Sequence, residues 1–593
     1  MKYSLYLFMC VFTAVSAISI ERNSLTVKLK QGSVRGYREE DKNYYGFYGI
    51  PYATAPTGRD KFKAPLPPPT WTYTFEATNK DVICPQSEFL TVFFPHLTIR
   101  NLVKDENCLN VNVFTPGNEE LLPVYVFIHG GAFQVGFGDM NSHEPMLRSK
   151  KFVEVNFNYR LGIPGFLCLG TEDVPGNAGM KDQLAALRWV KENIAEFGGD
   201  PDDITLGGYS AGSASVDLHF LSDTTEGLFH RIIPESGNSI STWAVQIKPI
   251  TNAMEFAKRH NFVDTGNVYD LENFYKTSSA NVLFAEHFFF EKDSQFTFVP
   301  CLERVKENSF LTEVPLNILK SRKYEKMPAL YGISNMEGLF RIFQFEDWKD
   351  GMNEKFSDYL PVNLQFVNDS QREKVADEIK KFYFGEEKVG ERTMQAYVNY
   401  FTDVLFAYPM LKTVSLLSEA ENVVYEYEYS FVDKTPHPFD PYKLGGAHHC
   451  AQSGALSYNL FTNDTGEETD EYKEMRRIMT ELWVNFITTS KPVQANSTMF
   501  PAGWPSVTLN NNAYMELKQL PELNTDMILE RYKLWDCVYE KHYRPPMPPC
   551  TKPPYLQGQT VSLGGPGLML LRGPPNYSKL WIFSHYRLFL TLT

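Results

Sequence analysis

The sequence lacks the residue spacings that usually hold zinc. Eight cysteines are present, yet no two form a Cys-x-x-Cys pair and no His-Glu-x-x-His occurs, so a zinc site has no support. Blocks of lysine and arginine are also missing, and the formal net charge is -14. A nucleic acid or an anionic membrane surface is therefore not expected as the main partner, and no metal is expected.

Long apolar runs are scarce and lie near the two ends. Met1-Lys2, the apolar residues 3–15 and Ser16-Ala17 are typical of a secretory signal peptide over residues 1–17. The run is too short for a first transmembrane anchor, and charged residues soon follow it. The apolar residues 580–592 are interrupted by His585 and Arg587, so we expect no stable membrane anchor there either.

Internal repeats and interior linkers are also missing between Ile18 and Tyr543, which favours one domain over residues 18–543. Residues 544–593 differ in composition, because they contain repeated proline and glycine clusters. Such a composition resists both helix and sheet. We expect this segment to be a disordered C-terminal tail.

Cysteines and asparagines fit an exported protein. Removing Cys10 with the signal peptide leaves seven cysteines, so at least one thiol must be unpaired or intermolecular in an oxidising compartment. Glycosylation sequons occur at Asn368, Asn463, Asn496 and Asn576. We expect glycosylation at the first three.

Strand-like and helical patterns alternate along the chain. Residues 124–128 and 153–157 are apolar runs typical of buried strands. Residues 177–197 carry apolar side chains at spacings of three and four, which predicts a helix with Lys181, Arg188 and Lys191 facing water. This order is typical of an α/β protein with a large, mostly parallel central sheet flanked by helices.

Ser210 lies in a Gly-x-Ser-x-Gly turn between an apolar strand pattern and a helical pattern over residues 211–221. Gly208 and Gly212 would leave room for the tight turn, in which the serine backbone is strained. The backbone N–H of Ala211 would then begin the helix and face an anionic oxygen. This context predicts a nucleophile elbow with Ser210 at its apex.

A second glycine-rich segment follows the predicted strand 124–128. His129-Gly130-Gly131 fits the other half of an oxyanion hole, because glycine leaves the backbone N–H groups open to a substrate carbonyl. Gly130 and Gly131 would act there with Ala211. We expect His129 itself to have a structural role.

A serine nucleophile needs a histidine as base and an acid to orient that histidine, and elbow enzymes carry them in the order serine, acid, histidine. Glu337 follows an apolar strand pattern and precedes a glycine, as expected of a loop at a strand end. Further on, Gly445-Gly446-Ala447-His448-His449 holds the only adjacent histidine pair in the chain. Either histidine could be the base.

Taken together, these segments resemble the type-B carboxylesterase and cholinesterase family. The resemblance rests on residues 47–53, 106–116 and 197–212, and it extends from about Leu25 to Trp535. Secreted insect carboxylesterases are most similar in style, on residues 165–170 and 177–183. The resemblance implies an α/β-hydrolase fold and a cofactor-free reaction.

The same resemblance implies roles for individual residues. Ser210 matches the nucleophile, Glu337 the acid and His449 the base. Aligning the histidine motif from Gly446 selects His449, which we favour, whereas aligning it from Leu444 selects His448. Gly130, Gly131 and Ala211 match the oxyanion hole, Cys84 and Cys108 a disulfide, and Ser236 a serine near the acid. Residues 450–458 depart from the family pattern, because the segment after the histidine is a few residues longer.

The most economical function is a secreted carboxylic ester hydrolase acting on a small uncharged aliphatic or aromatic ester. The loop between Cys84 and Cys108 has no tryptophan to bind a quaternary ammonium group, which disfavours choline esters. Tyr209 stands where juvenile-hormone esterases usually have glutamine, which disfavours that type and leaves it as an alternative. Another alternative is a non-catalytic binding or adhesion ectodomain of the same fold.

Overall fold

The computed structural model describes residues 23–39, 42–88, 102–118, 120–285, 291–304, 307–433, 440–459 and 468–549. The expected signal peptide, Asn463, Asn576 and residues 550–593 lie outside the described residues.

The positions of the described strands are β1 Ser24–Leu29, β2 Gly32–Arg38, β3 Tyr45–Pro51, β4 Phe75–Glu76, β5 Val82–Ile83, β6 Val103–Lys104, β7 Asn110–Thr115, β8 Leu122–Ile128, β9 Asn141–Ser142, β10 Val153–Phe157, β11 Gly199–Tyr209, β12 Arg231–Glu235, β13 Ala329–Ser334, β14 Val424–Tyr429, β15 Tyr458–Asn459, β16 Ala513–Leu517 and β17 Glu522–Thr525.

One large mixed sheet organises the fold. Its strands follow the order β1-β2-β3-β7-β10-β8-β11-β12-β13-β14-β16-β17, with β4 beside β2. The neighbours from β10 to β16 are parallel, whereas β1, β2, β3 and β7 at one edge and β17 at the other pair antiparallel. Ligands of such sheets bind beyond the carboxyl ends of the parallel strands.

Helices cover both faces of this sheet. Their positions are α1 Glu144–Leu147, α2 Gly162–Phe166, α3 Ala178–Asn193, α4 Ala211–Leu221, α5 Pro249–Arg259, α6 Val268–Thr277, α7 Ala280–Leu283, α8 Pro315–Ser321, α9 Phe345–Glu354, α10 Asp369–Phe384, α11 Met394–Thr402, α12 Tyr408–Glu419, α13 Ala451–Leu456, α14 Asp470–Thr489 and α15 Leu529–His542. Short 3-10 helices include Ile194–Phe197 and Glu337–Gln344, and a π-helical turn spans Asp403–Ala407.

The side chains of β8 belong alternately to two apolar cores, one on each face of the sheet. Val124, Val126 and Ile128 belong to the core that includes α3 and α4, whereas Tyr125 and Phe127 belong to the core that includes α14. This is the period of two expected of a strand buried on both faces. The apolar run seen in the sequence therefore reflects a central strand.

The predicted helix over residues 177–197 is present, but its C-terminal end and the exposure of one of its side chains differ from the prediction. The α-helical part ends at Asn193 and a 3-10 turn completes the segment. Lys181, expected to face water, is 8% exposed and pairs with Glu303 at 2.5 Å. Helical spacing could not reveal this partner, because Glu303 comes from a distant segment.

The first residues of the predicted tail contact the described domain. The Arg544 N–H donates to the Asn363 carbonyl at 2.8 Å, and the Arg304 guanidinium donates to the Pro549 carbonyl at 2.9 Å. In the part of the chain that the structure describes, no helix is both long enough and apolar enough to cross a membrane.

Candidate functional site

Ser210 lies at a sharp turn between β11 and α4. Its φ of 55° and ψ of -122° are unfavourable for a residue with a side chain, as expected for a nucleophile elbow. A Cβ on Gly212 would lie 2.0 Å from the Ile128 carbonyl oxygen, and one on Gly208 would lie 2.8 Å from the Gly212 carbonyl. The turn therefore requires glycine on each side of the serine.

His449 connects Ser210 to Glu337. Its Nε2 lies 2.9 Å from Ser210 Oγ, and its Nδ1 lies 2.5 Å from Glu337 Oε2. The neighbouring His448 directs its Nδ1 to the His449 carbonyl at 2.9 Å. Of the two histidines left open by the sequence, His449 is thus the one whose ring joins the serine and the acid.

Glu337 is fully buried at the start of the 3-10 helix that follows β13. Its Oε1 accepts hydrogen bonds from the Ser334 N–H at 2.8 Å and from the Ser236 hydroxyl at 2.5 Å. These two donors fix the orientation of the carboxyl group. Its Oε2 is left to face the imidazole, so the carboxylate can fix the tautomer and orientation of His449.

The loop that carries His449 is tied to the loop that carries Glu337. The Met336 N–H donates to the Ala447 carbonyl at 3.1 Å, and the Ala447 N–H donates to Asn335 Oδ1 at 2.9 Å. A Cβ on Gly446 would lie 1.9 Å from Met336 Sδ. The longer segment after His449 forms the short helix α13, so its length is accommodated without separating the histidine from the serine.

The glycine-rich segment follows β8, which lies beside β11 in the sheet. Ile128 is opposite Gly208, so Gly130 and Gly131 follow one strand end while Ser210 and Ala211 follow its neighbour. Gly131 has a φ of 115°, and a Cβ there would lie 2.0 Å from the Val135 carbonyl oxygen. This close approach explains why the position needs glycine.

His129 is buried. Burial lowers the pKa of its imidazole to about 4, so the ring is neutral at physiological pH. Its Nδ1 lies 2.8 Å from the Gly130 carbonyl, and the ring stacks on Tyr159 at 4.4 Å. These contacts match the structural role expected from the sequence.

Aromatic rings surround the imidazole of His449. The ring of Phe406 lies 4.5 Å from it and the ring of Phe340 lies 5.0 Å from it, between centroids. Trp243 contacts Phe406 at 5.8 Å and Phe296 at 5.6 Å. The sequence contained no signal for this cluster, because its members come from four distant segments and look like ordinary core residues.

A further polar group missed by the sequence reasoning lies behind Glu337. Gln452 donates to Ser236 Oγ at 2.6 Å and accepts from Ser334 Oγ at 2.7 Å. Nearby Glu235 accepts from Ser453 at 2.9 Å and from Trp483 at 3.1 Å. Burial raises the pKa of Glu235 to about 7.

Two disulfides are present among the described residues. One joins Cys84 to Cys108, the pair implied by the resemblance, and the other joins Cys168 to Cys301, a pairing the sequence left open. Within the described ranges, Cys450 and Cys537 are free thiols. Burial raises the pKa of the Cys450 thiol, with further contributions from Glu337 and Glu235.

The Cys84–Cys108 loop supports the glycine-rich segment. Gln86, which is buried beside this disulfide, accepts from the Gly136 N–H at 2.8 Å and donates to the Gly136 carbonyl at 2.9 Å. A Cβ on Gly136 would lie 2.4 Å from His129 Nδ1. The disulfide loop and the loop after β8 are therefore held together.

The described sequon asparagines are on the surface. Asn368 is exposed at the start of α10, where its Oδ1 accepts from the Gln371 N–H at 2.9 Å. Asn496 is also exposed, with a φ of 65°. In both cases glycan attachment would meet no burial penalty.

A large mixed sheet with flanking helices and a serine at a strand-to-helix turn defines an α/β-hydrolase. A sequence model of the carboxylesterase family matches residues 23–535, and the chain belongs to this family. Its members include relatives named as esterases, so the protein is a carboxylic ester hydrolase.

Several insect proteins are similar over most of their length. Venom carboxylesterase-6 of Apis mellifera is 33% identical over 81% of this chain and 87% of the relative. Juvenile hormone esterase of Tribolium castaneum is 31% identical over 79% of this chain and 84% of the relative. The crystal structure of juvenile hormone esterase from Manduca sexta, with OTFP covalently attached, is 27% identical, covers 87% of this chain and 100% of its own, and has a TM-score of 0.77.

Proposed function

We propose that the protein is a secreted serine esterase in which Ser210, His449 and Glu337 form the catalytic triad. The observation that carries the proposal is the pair of contacts at His449, 2.9 Å to Ser210 Oγ and 2.5 Å to Glu337 Oε2. A base must lie within hydrogen-bond reach of the proton that it removes. The contact of His449 Nε2 with Ser210 Oγ meets that requirement, and the contact of Nδ1 with Glu337 would orient the base.

In the proposed reaction, Ser210 Oγ attacks the acyl carbon of the ester while His449 Nε2 accepts the hydroxyl proton. The imidazolium then gives this proton to the departing alkoxide, which leaves as an alcohol and an acyl-enzyme remains. Water attacks the acyl-enzyme with His449 again acting as base, which releases the carboxylic acid and restores Ser210. Glu337 stabilises the imidazolium in both halves, and no cofactor takes part.

The tetrahedral intermediates need donors for the oxygen that gains charge. We assign the backbone N–H groups of Gly130, Gly131 and Ala211 to this role, since they follow the adjacent strands β8 and β11. Each such donor typically contributes about 100- to 1,000-fold to kcat. The N-terminus of α4 adds a favourable dipole at the same place.

The aromatic rings beside His449 favour an uncharged aliphatic or aromatic ester. Phe406 and Phe340 offer apolar and polarisable surface beside the His449 ring. Trp243 and Phe296 extend this aromatic cluster behind Phe406. Tyr209, at the position where juvenile-hormone esterases usually have glutamine, donates its hydroxyl to Asn141 at 3.2 Å. This departure disfavours a juvenile-hormone-type activity, which is the alternative within the class. Comparing hydrolysis rates of juvenile hormone and simple esters distinguishes the two.

Secretion completes the proposal. We assign residues 1–17 to a signal peptide, residues 18–543 to the catalytic domain and residues 544–593 to a tail, with glycans on Asn368, Asn463 and Asn496. The two disulfides fit an oxidising compartment. Expression in insect cells should release protein that begins near Ile18 and loses mass on treatment with an N-glycosidase; retention inside the cell without cleavage would contradict this assignment.

The decisive test compares hydrolysis of naphthyl or nitrophenyl acetate by the parent and three variants. Ser210→Ala and His449→Ala should lose at least about 1,000-fold in kcat, whereas His448→Ala should retain most of the activity. Full activity in His449→Ala would refute the assigned base. A parent that hydrolyses no ester would favour the binding or adhesion ectodomain.

A further inference from the structure

A buried side-chain amide lies directly behind the Ser236–Glu337 contact. Gln452 is fully buried in α13, three residues after His449. Its Nε2 donates to Ser236 Oγ at 2.6 Å, and its Oε1 accepts from Ser334 Oγ at 2.7 Å. Burying an amide is costly unless both of its ends are hydrogen-bonded, and here both are.

The direction of these hydrogen bonds follows from the number of hydrogens. The Ser236 hydroxyl has one hydrogen, and Glu337 Oε1 lies 2.5 Å from it. If the Gln452 amide were reversed, Ser236 would have to donate to Gln452, and two bare oxygens would face each other at that distance. The orientation with Nε2 toward Ser236 leaves its hydrogen for Glu337.

The same network sends a second donor to the same oxygen. Ser334 uses its hydroxyl for Gln452, while its backbone N–H donates to Glu337 Oε1 at 2.8 Å. Oε1 thus receives two donors, and Oε2 remains for His449 Nδ1. Charge-assisted bonds of this kind hold a carboxylate in one orientation.

The helix that carries Gln452 is itself fixed beside the histidine. Ser453 donates to Glu235 at 2.9 Å, next to the Gln452 contact with Ser236. Consecutive residues of α13 therefore bind consecutive residues at the end of β12. These two contacts fix the longer segment immediately after His449.

We propose that Gln452 is a positioning residue of the reaction, acting through Ser236 to direct a hydrogen bond onto Glu337 and hold that carboxylate against His449. The inference rests on the triad proposed above. A carboxylate at position 452 could only accept hydrogen bonds, so it would compete with Glu337 for the hydrogen of Ser236.

The ionisable groups near this amide indicate how a carboxylate at position 452 would change the pH dependence of activity. Glu337 shares the Ser236 hydroxyl with this amide, and Glu235 accepts from the adjacent Ser453. Tyr427 faces the amide from β14, and His449 and Cys450 precede it in its own segment. A further carboxylate among these acids would raise the pH at which one of them releases its proton. It would also favour the imidazolium form of His449. Both effects move the acid limb of the activity profile to higher pH.

The test uses purified full-length enzyme and nitrophenyl acetate. Gln452→Met, which keeps the side-chain length without hydrogen bonds, should lower kcat about tenfold and change KM less than about twofold. Gln452→Glu should move the acid limb of kcat/KM up by about one pH unit. Gln395, an exposed glutamine on α11, provides matched control variants, Gln395→Met and Gln395→Glu, expected to behave as the parent.

A double-mutant cycle distinguishes positioning from a general effect on packing. In a Ser236→Ala background, Gln452→Met should reduce kcat by less than about twofold, since the hydroxyl through which it acts is missing. A full additional tenfold loss there, an unchanged acid limb in Gln452→Glu, or parental kcat in Gln452→Met would overturn the inference. An inactive parent whose Ser210 resists a fluorophosphonate would overturn the triad itself, and this inference with it.

Discussion

Glu426 should make the protein less stable as the pH rises. Its carboxyl lies in β14 and is 3% exposed, and its Oε1 has no hydrogen-bond partner among the described residues. Burial, followed by repulsion from Glu428, raises its pKa from 4.5 to about 8. Glu426→Gln replaces the carboxyl with a neutral group of similar shape and should stabilise the protein at alkaline pH.

The sign and size follow from proton linkage. The unfolded chain releases the proton near pH 4.5 and the folded chain near pH 8, so the folded state holds more protons between these values and loses stability as the pH rises. At about 1.36 kcal/mol per pKa unit, this corresponds to at most about 5 kcal/mol. Because the surroundings relax around a buried charge, we expect about 2–4 kcal/mol for the difference between variant and parent near pH 9.

The assay is urea denaturation followed by tryptophan fluorescence at about pH 5, 7 and 9. The free energy of unfolding should be similar for parent and Glu426→Gln near pH 5, and the gain of the variant should increase with pH. Glu378→Gln is the control, since this glutamate is exposed on α10 and its ion pair with Lys374 spans 3.9 Å. A difference that is constant with pH would refute the reasoning.

Three further predictions concern the site and the disulfide beside it. Gly212→Ala should reduce esterase activity by at least about 100-fold, because its Cβ would lie 2.0 Å from the Ile128 carbonyl. The control Gly390→Ala, whose Cβ would have its nearest neighbour 3.9 Å away, should be active, and an active Gly212→Ala would contradict the elbow. Cys84→Ser with Cys108→Ser should cost about 3 kcal/mol, seen as a lower thermal midpoint, and the free, exposed Cys537→Ser should leave it unchanged; equal midpoints for all would contradict a stabilising role. Phe406→Ala should raise kcat/KM for bulky acyl esters relative to acetate by about tenfold, because this ring contacts His449; an unchanged ratio would exclude the ring from the substrate pocket.

Sequence reasoning was most successful where function depends on local geometry. The turn around Ser210 needs glycine at two fixed positions, and the helix predicted over residues 211–221 is α4, Ala211–Leu221. Gly131 was likewise visible, since its close approach to Val135 tolerates no side chain. Such backbone constraints can be predicted from the sequence, because only glycine satisfies them.

Contacts between distant segments could not be predicted in the same way. The pairing of Cys168 with Cys301 and the burial of Lys181 against Glu303 both depend on segments more than 100 residues apart. The choice between His448 and His449 depended on which ring faces Ser210, and Gln452 had no recognisable signal at all. These features depend on tertiary packing, which a single sequence does not record.

The most direct test of the central claim is covalent labelling of the purified protein with a fluorophosphonate, followed by peptide mass spectrometry. The account predicts one adduct, on Ser210, that is absent in Ser210→Ala and forms much more slowly in His449→Ala and Glu337→Gln. Ester hydrolysis that persists in Ser210→Ala, or an adduct on another residue of an active enzyme, would contradict it.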